Sequence, residues 1–270
     1  MSVPTKRFIG FLVLFLIAVM ICAKGFDTSE SQSEMILPYL AALFLVYMHF
    51  PVRWKNEPKP IELHHWFGPA LLLITGGLFD ILLLQACGWV WAWHLWTAAS
   101  VDSAALRPTR ASIAFLFIFP WITYDFQAVG WWYRLSGAWV TSFTFEILGY
   151  PVTRQGTEMV VGGIPLSVEA GCAGMGLLQS LLVVGTILLL MAYPRSRLFY
   201  LLLPTLPLIA WLANTMRIVT ISLAGVCISV SFAEGLFHTF GGLLVILIMV
   251  LLCIPLLLLI RKYFPDTSNS

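Results

Sequence analysis

The chain has 270 residues, of which 60% are hydrophobic and 10% charged, and its mean hydropathy is +0.91. A soluble domain carries about 25% charged residues, so this composition excludes an ordinary water-soluble protein and assigns the chain to a membrane. The formal net charge of +2 comes without a basic patch interleaved with aromatics, which excludes nucleic acid as a partner.

A membrane-crossing helix needs about 20 apolar residues. By that criterion the spans fall at 8–23, 35–50, 67–86, 88–106, 111–128, 172–193, 198–226 and 238–260. Lys6 and Arg7 ahead of the first run resemble the start of a signal peptide, but Ile21 and Ala23 form a poor cleavage site, so the first span is expected to stay attached. The stretch 67–106 reads as two helices turning at Cys87-Gly88, or as one helix followed by an interfacial segment bearing Trp89, Trp91, Trp93 and Trp96.

Charge arbitrates the topology. Eight spans leave both termini in the cytoplasm, with Lys6, Arg7, Arg53, Lys55, Lys59, Arg107, Arg110, Arg195, Arg197, Arg261 and Lys262 on that side, eleven of the fifteen basic residues. The outer segments then hold Lys24, Arg134 and Arg154, and Arg217 falls within a span. That is the positive-inside pattern of a multi-pass protein of the cell (inner) membrane. The predicted fold is an all-α polytopic membrane protein of about eight transmembrane helices. It is a single domain over 1–270, with N-terminal helices to 130, an outer loop over 131–171 and catalytic helices over 172–260.

The outer loop opens with the interfacial cluster Trp131, Trp132 and Tyr133. Residues 134–148 are expected to form a short helix on the membrane surface. From Val152 to Val168, the turn signals Gln155-Gly156 and Gly162-Gly163 alternate with Val160, Val161 and Ile164. That pattern predicts an extracytoplasmic β-hairpin before the sixth span.

Five cysteines occur, at 22, 87, 172, 227 and 253, with the spacing of neither a zinc site nor a disulfide framework. Cys172 stands apart, set among Gly171, Gly174 and Gly176 at the outer end of the sixth span. Arg217 lies about nineteen residues into the seventh span, roughly 28 Å from its cytoplasmic start and so near the outer surface. His238 opens the eighth span on the same side. Three distant parts of the chain thus bring a thiol, a guanidinium and an imidazole to one level. A charge within a span costs a few kcal/mol and marks a functional candidate. Asn214 and Thr220 share the helix face of Arg217.

Each residue type suits acyl transfer. A helix N-terminus and a nearby imidazolium lower a thiol pKa, which fits Cys172 as nucleophile. His238 can supply that cation and then protonate a leaving amine. Arg217 can hold an oxyanion or orient a carbonyl. Glu169 is placed to hold Arg217 or His238. Each also has a plainer role: Arg217 snorkelling to headgroups, His238 as a helix-start polar residue, the glycines as close helix contacts, Glu169 as a solvated loop charge.

These segments resemble the exosortase/archaeosortase family of membrane cysteine transpeptidases. Val168-Glu169-Ala170-Gly171-Cys172-Ala173-Gly174 is similar to its E-A-C-S-G segment around the nucleophile, Ala213-Asn214-Thr215-Met216-Arg217-Ile218 to its A-N-x-x-R-I segment, and His238-Thr239-Phe240-Gly241-Gly242 to its terminal histidine segment. Upstream, Leu148-Gly149-Tyr150-Pro151-Val152 and Gly156 are similar to its L-G-x-P-V…G stretch. Gly171 is an insertion between Ala170 and Cys172, and Ala173 replaces the usual serine. The resemblance implies a catalytic set of Cys172, Arg217 and His238, with Asn214 and Glu169 in support and no metal or cofactor. It also implies substrates that are secreted proteins with a C-terminal motif, a transmembrane helix and a basic tail, and transfer to a lipid or glycan acceptor. The hairpin is then expected to align the motif by strand addition.

Other readings are a transporter or channel lined by Asp80, Gln85, Asp102 and Asp125, although no inverted repeat accompanies them, and a hydrolase that shares the acyl-enzyme but not the transfer. Glu62 with His64-His65 lacks the i, i+4 spacing of a helical metal site. His49 and His94 read as interfacial packing residues.

Overall fold

The computed structural model describes residues 3–26, 40, 61–100, 108–193, 196–233 and 235, and single positions at 251, 254, 255, 258 and 262. The expected second span apart from Leu40, almost all of the eighth, His49, Asp102 and His238 lie outside the described residues.

Helix α1 covers Val3–Phe26. Helices α2, Phe67–Leu78, and α3, Leu82–Ser100, form a helical hairpin. Their turn is at Phe79–Ile81, not at Cys87-Gly88, and carries Asp80 at φ 55°. Gly88 serves as a contact instead: a Cβ there would lie 2.9 Å from the Pro69 carbonyl oxygen. The amides exposed where α3 begins are met by Asp125, which accepts from Leu82 N–H at 3.1 Å and Leu83 N–H at 2.6 Å. Gln85 reaches back and donates to the Gly76 carbonyl.

The tryptophans of α3 correct the interfacial reading. Trp89, Trp93 and Trp96 are buried and only Trp91 is exposed. Trp89 stacks on Trp93 at 5.4 Å, meets Phe115 and Phe119 edge-on, and donates its Nε1–H to the Leu14 carbonyl of α1. An indole buried in an apolar core keeps its ring in contact and its N–H bonded.

The expected span 111–128 is interrupted twice. It becomes α4, Pro108–Ile118, and α5, Trp121–Asp125, with Pro120 between them. Proline ends α4 because it has no N–H and its ring crowds the preceding turn. Backbone carbonyls freed within an apolar interior must be satisfied by protein. Gln179, with no exposed surface, does this by donating Nε2–H to the Phe119 carbonyl at 2.7 Å and the Phe117 carbonyl at 3.3 Å.

Helix α6, Gln127–Ile147, replaces the short surface helix expected at 134–148. It buries a stripe of Gly130, Gly137, Ala138, Thr141, Ser142 and Phe145, while Trp132, Trp139 and Phe143 stay exposed. The expected hairpin is a three-stranded antiparallel meander: β1, Val152–Gln155; β2, Glu158–Val161; β3, Ile164–Ser167. Its register pairs Arg154 with Met159 and Met159 with Leu166. Both connections are two residues long, and Gly156, Gly162 and Gly163 take positive φ there. Met159 and Val161 face inward while Glu158 and Val160 face out, the alternation of a sheet covered on one side.

A 3-10 turn, Ala170–Ala173, leads into α7, Met175–Ala192. A short α8, Leu198–Leu202, precedes α9, Thr205–Cys227, and a single turn, α10, Val230–Phe232. Among the described residues, two stretches are long and apolar enough to cross a membrane, Ala170–Ala192 and Leu198–Cys227; the apolar part of α1, Ile9–Lys24, is shorter. The fold is thus mostly helical with one small sheet, and the count of eight spans rests on the sequence.

Candidate active site

Cys172 sits on the 3-10 turn that joins the sheet to α7, one step before the helix proper. Glu169 precedes the turn with extended backbone, φ −69° and ψ 170°, and the Cys172 N–H donates to its carbonyl. Gly174 follows at φ 71° and caps α7 at its N-terminal end. The helix therefore begins at Met175, three residues later than Cys172.

Gly174 is required for two reasons. A left-handed backbone is costly for any residue with a Cβ. A Cβ there would also lie 2.3 Å from Asn214 Cγ and 2.5 Å from Oδ1. Asn214, 1% exposed on α9, uses that space to donate Nδ2–H to the Cys172 carbonyl at 3.0 Å. This bond ties the Cys172 turn to the helix that carries Arg217.

Arg217 is 3% exposed and lies one turn beyond Asn214. Asn214, Arg217, Ile221 and Gly225 follow the 3, 4, 4 spacing of one helix face. Ile221, Ser222 and Gly225 line a cavity of about 970 Å³ together with Cys172, Glu169, Arg154, Met159, Leu166 and Ser167. Cys172 is 8% exposed and packs with Ala138, Phe145, Met159, Val161, Val168 and Ile218. The structure thus brings Cys172 and Asn214 into contact, with Arg217 buried on the helix face that borders the cavity. Glu169 is exposed at the rim, and its carboxylate makes no ion pair among the described residues. The described chain leaves the cavity at Val230 and Ala233; His238 lies outside the described residues.

Sequence reasoning missed α6 as a wall of the site. A Cβ on Gly130 would lie 3.2 Å from Ala173 Cβ, and one on Gly137 2.5 Å from Ile218 Cδ1. Arg134 Nε donates to the Val168 carbonyl at 3.0 Å, which pins the strand-to-turn junction. The Gly130/Gly137 spacing, two turns on one face, was the signal available. The other candidates lie elsewhere. His64 stacks on His65 at 4.0 Å and pairs with Glu62 at 3.2 Å on an exposed 3-10 turn leading into α2.

A family model described as transmembrane exosortase matches residues 7–255. The chain belongs to the transmembrane exosortase family. The match covers the helical bundle, the sheet and all four segments that resemble the family's motifs. Exosortases are membrane proteins of a cysteine transpeptidase family that sorts other proteins. No match was found among curated proteins or among solved structures.

Proposed function

We propose that this exosortase removes a C-terminal sorting tail from secreted proteins and transfers them to a surface acceptor. Cys172 is the nucleophile. Its thiolate attacks the scissile carbonyl, Arg217 stabilises the oxyanion, and the carbon–nitrogen bond breaks as His238, in its imidazolium form, protonates the leaving amine. The thioester is then attacked by an amine on a lipid or glycan acceptor, which gives its proton to His238 and releases the thiolate. Asn214 fixes the turn that carries the sulfur.

The observation that carries this reading is the Asn214 bond to the Cys172 carbonyl. It joins two separate family-like segments at the wall of a cavity large enough for an extended peptide. Charge supports an outward-facing site. Lys24 bonds Asp80 where α1 and the α2–α3 turn meet, and Asp125, beside the start of α6, caps α3 at the same end. Gly130, one turn into α6, touches the Cys172 turn. That end carries Lys24, Arg134 and Arg154 beside Asp80, Asp125, Glu158 and Glu169, whereas Lys6, Arg7, Arg110 and Arg197 lie near the starts of α1, α4 and α8 at the other, the end to which the sequence assigns eleven of the fifteen basic residues. With the more basic end in the cytoplasm, Cys172 faces outward in the topology we propose, a multi-pass protein with both termini inside.

The test is co-expression with a tailed secreted protein of the same cell. Wild type is expected to remove the tail, and Cys172→Ala, inserted to the same level, to leave it on. Equal tail removal by both would exclude Cys172 as nucleophile.

A further inference from the structure

Among the described residues the meander has two free edges, and only one runs into the Cys172 turn. Backbone bonds fix which groups each edge presents. Val168 N–H donates to the Thr157 carbonyl, so Glu158 and Ser167 are a non-hydrogen-bonded pair. In such a pair the amide and carbonyl of each residue point away from the partner strand. Ser167 N–H and C=O therefore face the open side of β3, and so does the Pro165 carbonyl, two residues earlier. By the same logic the Gly162 N–H bond to the Pro151 carbonyl turns Val152 and Arg154 outward on β1. However, β1 and β2 rest on α6, and β1 leads toward β2. Among the described residues β3 contacts no helix to a comparable degree, and it leads directly through Glu169 to Cys172. Pro165, Ser167, Glu169 and Cys172 line one cavity.

We propose that the free edge of β3 binds the substrate's extended recognition segment as a fourth, parallel strand. The inference rests on the sorting reading above. Direction follows from where both chains go. β3 descends through Cys172 into the candidate span Ala170–Ala192, and the substrate segment descends toward its own membrane helix. In a parallel pairing opposite Ser167, the Ser167 N–H donates to the carbonyl of the preceding substrate residue, and the Ser167 carbonyl accepts the N–H of the following one. The Pro165 carbonyl accepts the N–H of that preceding residue. Proline has no N–H to offer, so the ladder stops there. The edge holds the two substrate residues that flank the one opposite Ser167 by three backbone bonds and delivers the next ones to Cys172. Pro165 also keeps the edge from pairing with longer strands.

The test compares Ser167→Pro with Ser167→Ala, using a secreted reporter that ends in the C-terminal tail of a protein from the same cell. Ser167→Pro removes one outward N–H and no bond within the sheet; Ser167→Ala keeps that N–H. Ser167→Pro is expected to raise KM for tail removal by about 2- to 10-fold relative to Ser167→Ala, the loss of one hydrogen bond, with kcat little changed. Equal KM values for the two variants, whether normal or raised, overturn the pairing while leaving the sorting reading intact. A wild type that leaves the tail on overturns both. If Ser167→Pro does not insert, amide exchange decides: in the Cys172→Ala protein the Ser167 amide is expected to become protected when the tailed reporter binds, and unchanged exchange overturns the proposal.

Discussion

Replacing Gly174 by alanine isolates the contact that holds the Cys172 turn. The left-handed backbone costs an L-residue about 1–2 kcal/mol. The new Cβ also falls 2.3 Å from Asn214 Cγ, 2.5 Å from Oδ1 and 2.8 Å from Nδ2, so Asn214 must leave. Its departure strips the Cys172 carbonyl of its amide donor, at about 1–3 kcal/mol for a buried group. Gly174→Ala is therefore expected to destabilise by about 2–5 kcal/mol. Asn214→Ala alone loses the same amide but keeps the glycine. In the double variant the atoms that clash are gone, so it should cost no more than Gly174→Ala alone. The singles are thus non-additive by about 1–3 kcal/mol, the hydrogen-bond cost counted in both. Thermal unfolding of the detergent-solubilised protein, followed by tryptophan fluorescence, measures all four. Gly77→Ala is the control, since a Cβ there meets nothing within 4 Å. Additive costs, with the double variant as unstable as the two singles combined, would refute the geometry.

Gln179→Leu keeps the volume but leaves the Phe119 carbonyl unbonded at the Pro120 break, and is expected to cost about 1–3 kcal/mol in the same unfolding assay. Arg217→Lys keeps one charge but loses the planar fork; tail removal should fall by about 100-fold or more if the guanidinium serves the oxyanion, with insertion unchanged by immunoblot. Hydrogen bonds from Lys24 and then Tyr124 hold the Asp80 carboxyl below its ordinary pKa. A carboxylate shifted down stabilises the fold above its unfolded pKa, and that contribution is lost as pH falls through the folded value. Wild type should therefore lose stability on the acid side of the carboxylate range, and Lys24→Gln should flatten that part of the pH–stability curve.

Much of the site was legible in the sequence because the chemistry is local to short segments. Cys172 with its glycines, and Asn214 three residues before Arg217, announced themselves by polar atoms in apolar runs. Long-range partners were not legible. Nothing in the spacing of Trp89, Trp93 and Trp96 distinguishes an interfacial belt from a core, and the decision is made by Leu14 and Phe119, which come from other helices. The turn at Phe79–Ile81 was missed because Cys87-Gly88 looked the better breaker. Gly88 is instead spent on the close approach of α2, and Asp125, forty-two residues beyond Leu83, supplies the cap that lets α3 start at Leu82. The hairpin was seen from its turns, but β3 was not separated from the hairpin, since Pro165 argues against a strand until it is known to lie at an edge.

The same long-range bonds bear on the transport alternative. A translocation path needs polar side chains free to meet a moving solute. Asp125 is occupied by the two backbone amides that open α3. Gln85 donates to the Gly76 carbonyl at the end of α2. Asp80 is bonded by Lys24 and Tyr124 at the exposed end of the bundle. Of the four residues suggested for a path, the three within the described residues thus stabilise helix ends and a helix junction, where unmet backbone groups or charges would otherwise cost several kcal/mol in an apolar medium. Gln179 does the same work at Pro120, and Asn214 does it at Cys172. The difference at Asn214 is what lies beside it: a buried thiol at the wall of the 970 Å³ cavity rather than another stretch of packed helix. Polar residues in this chain are mainly a means of breaking and re-forming helices inside an apolar body, and the Cys172 turn is the one such break, among the described residues, that carries a thiol and opens onto that cavity.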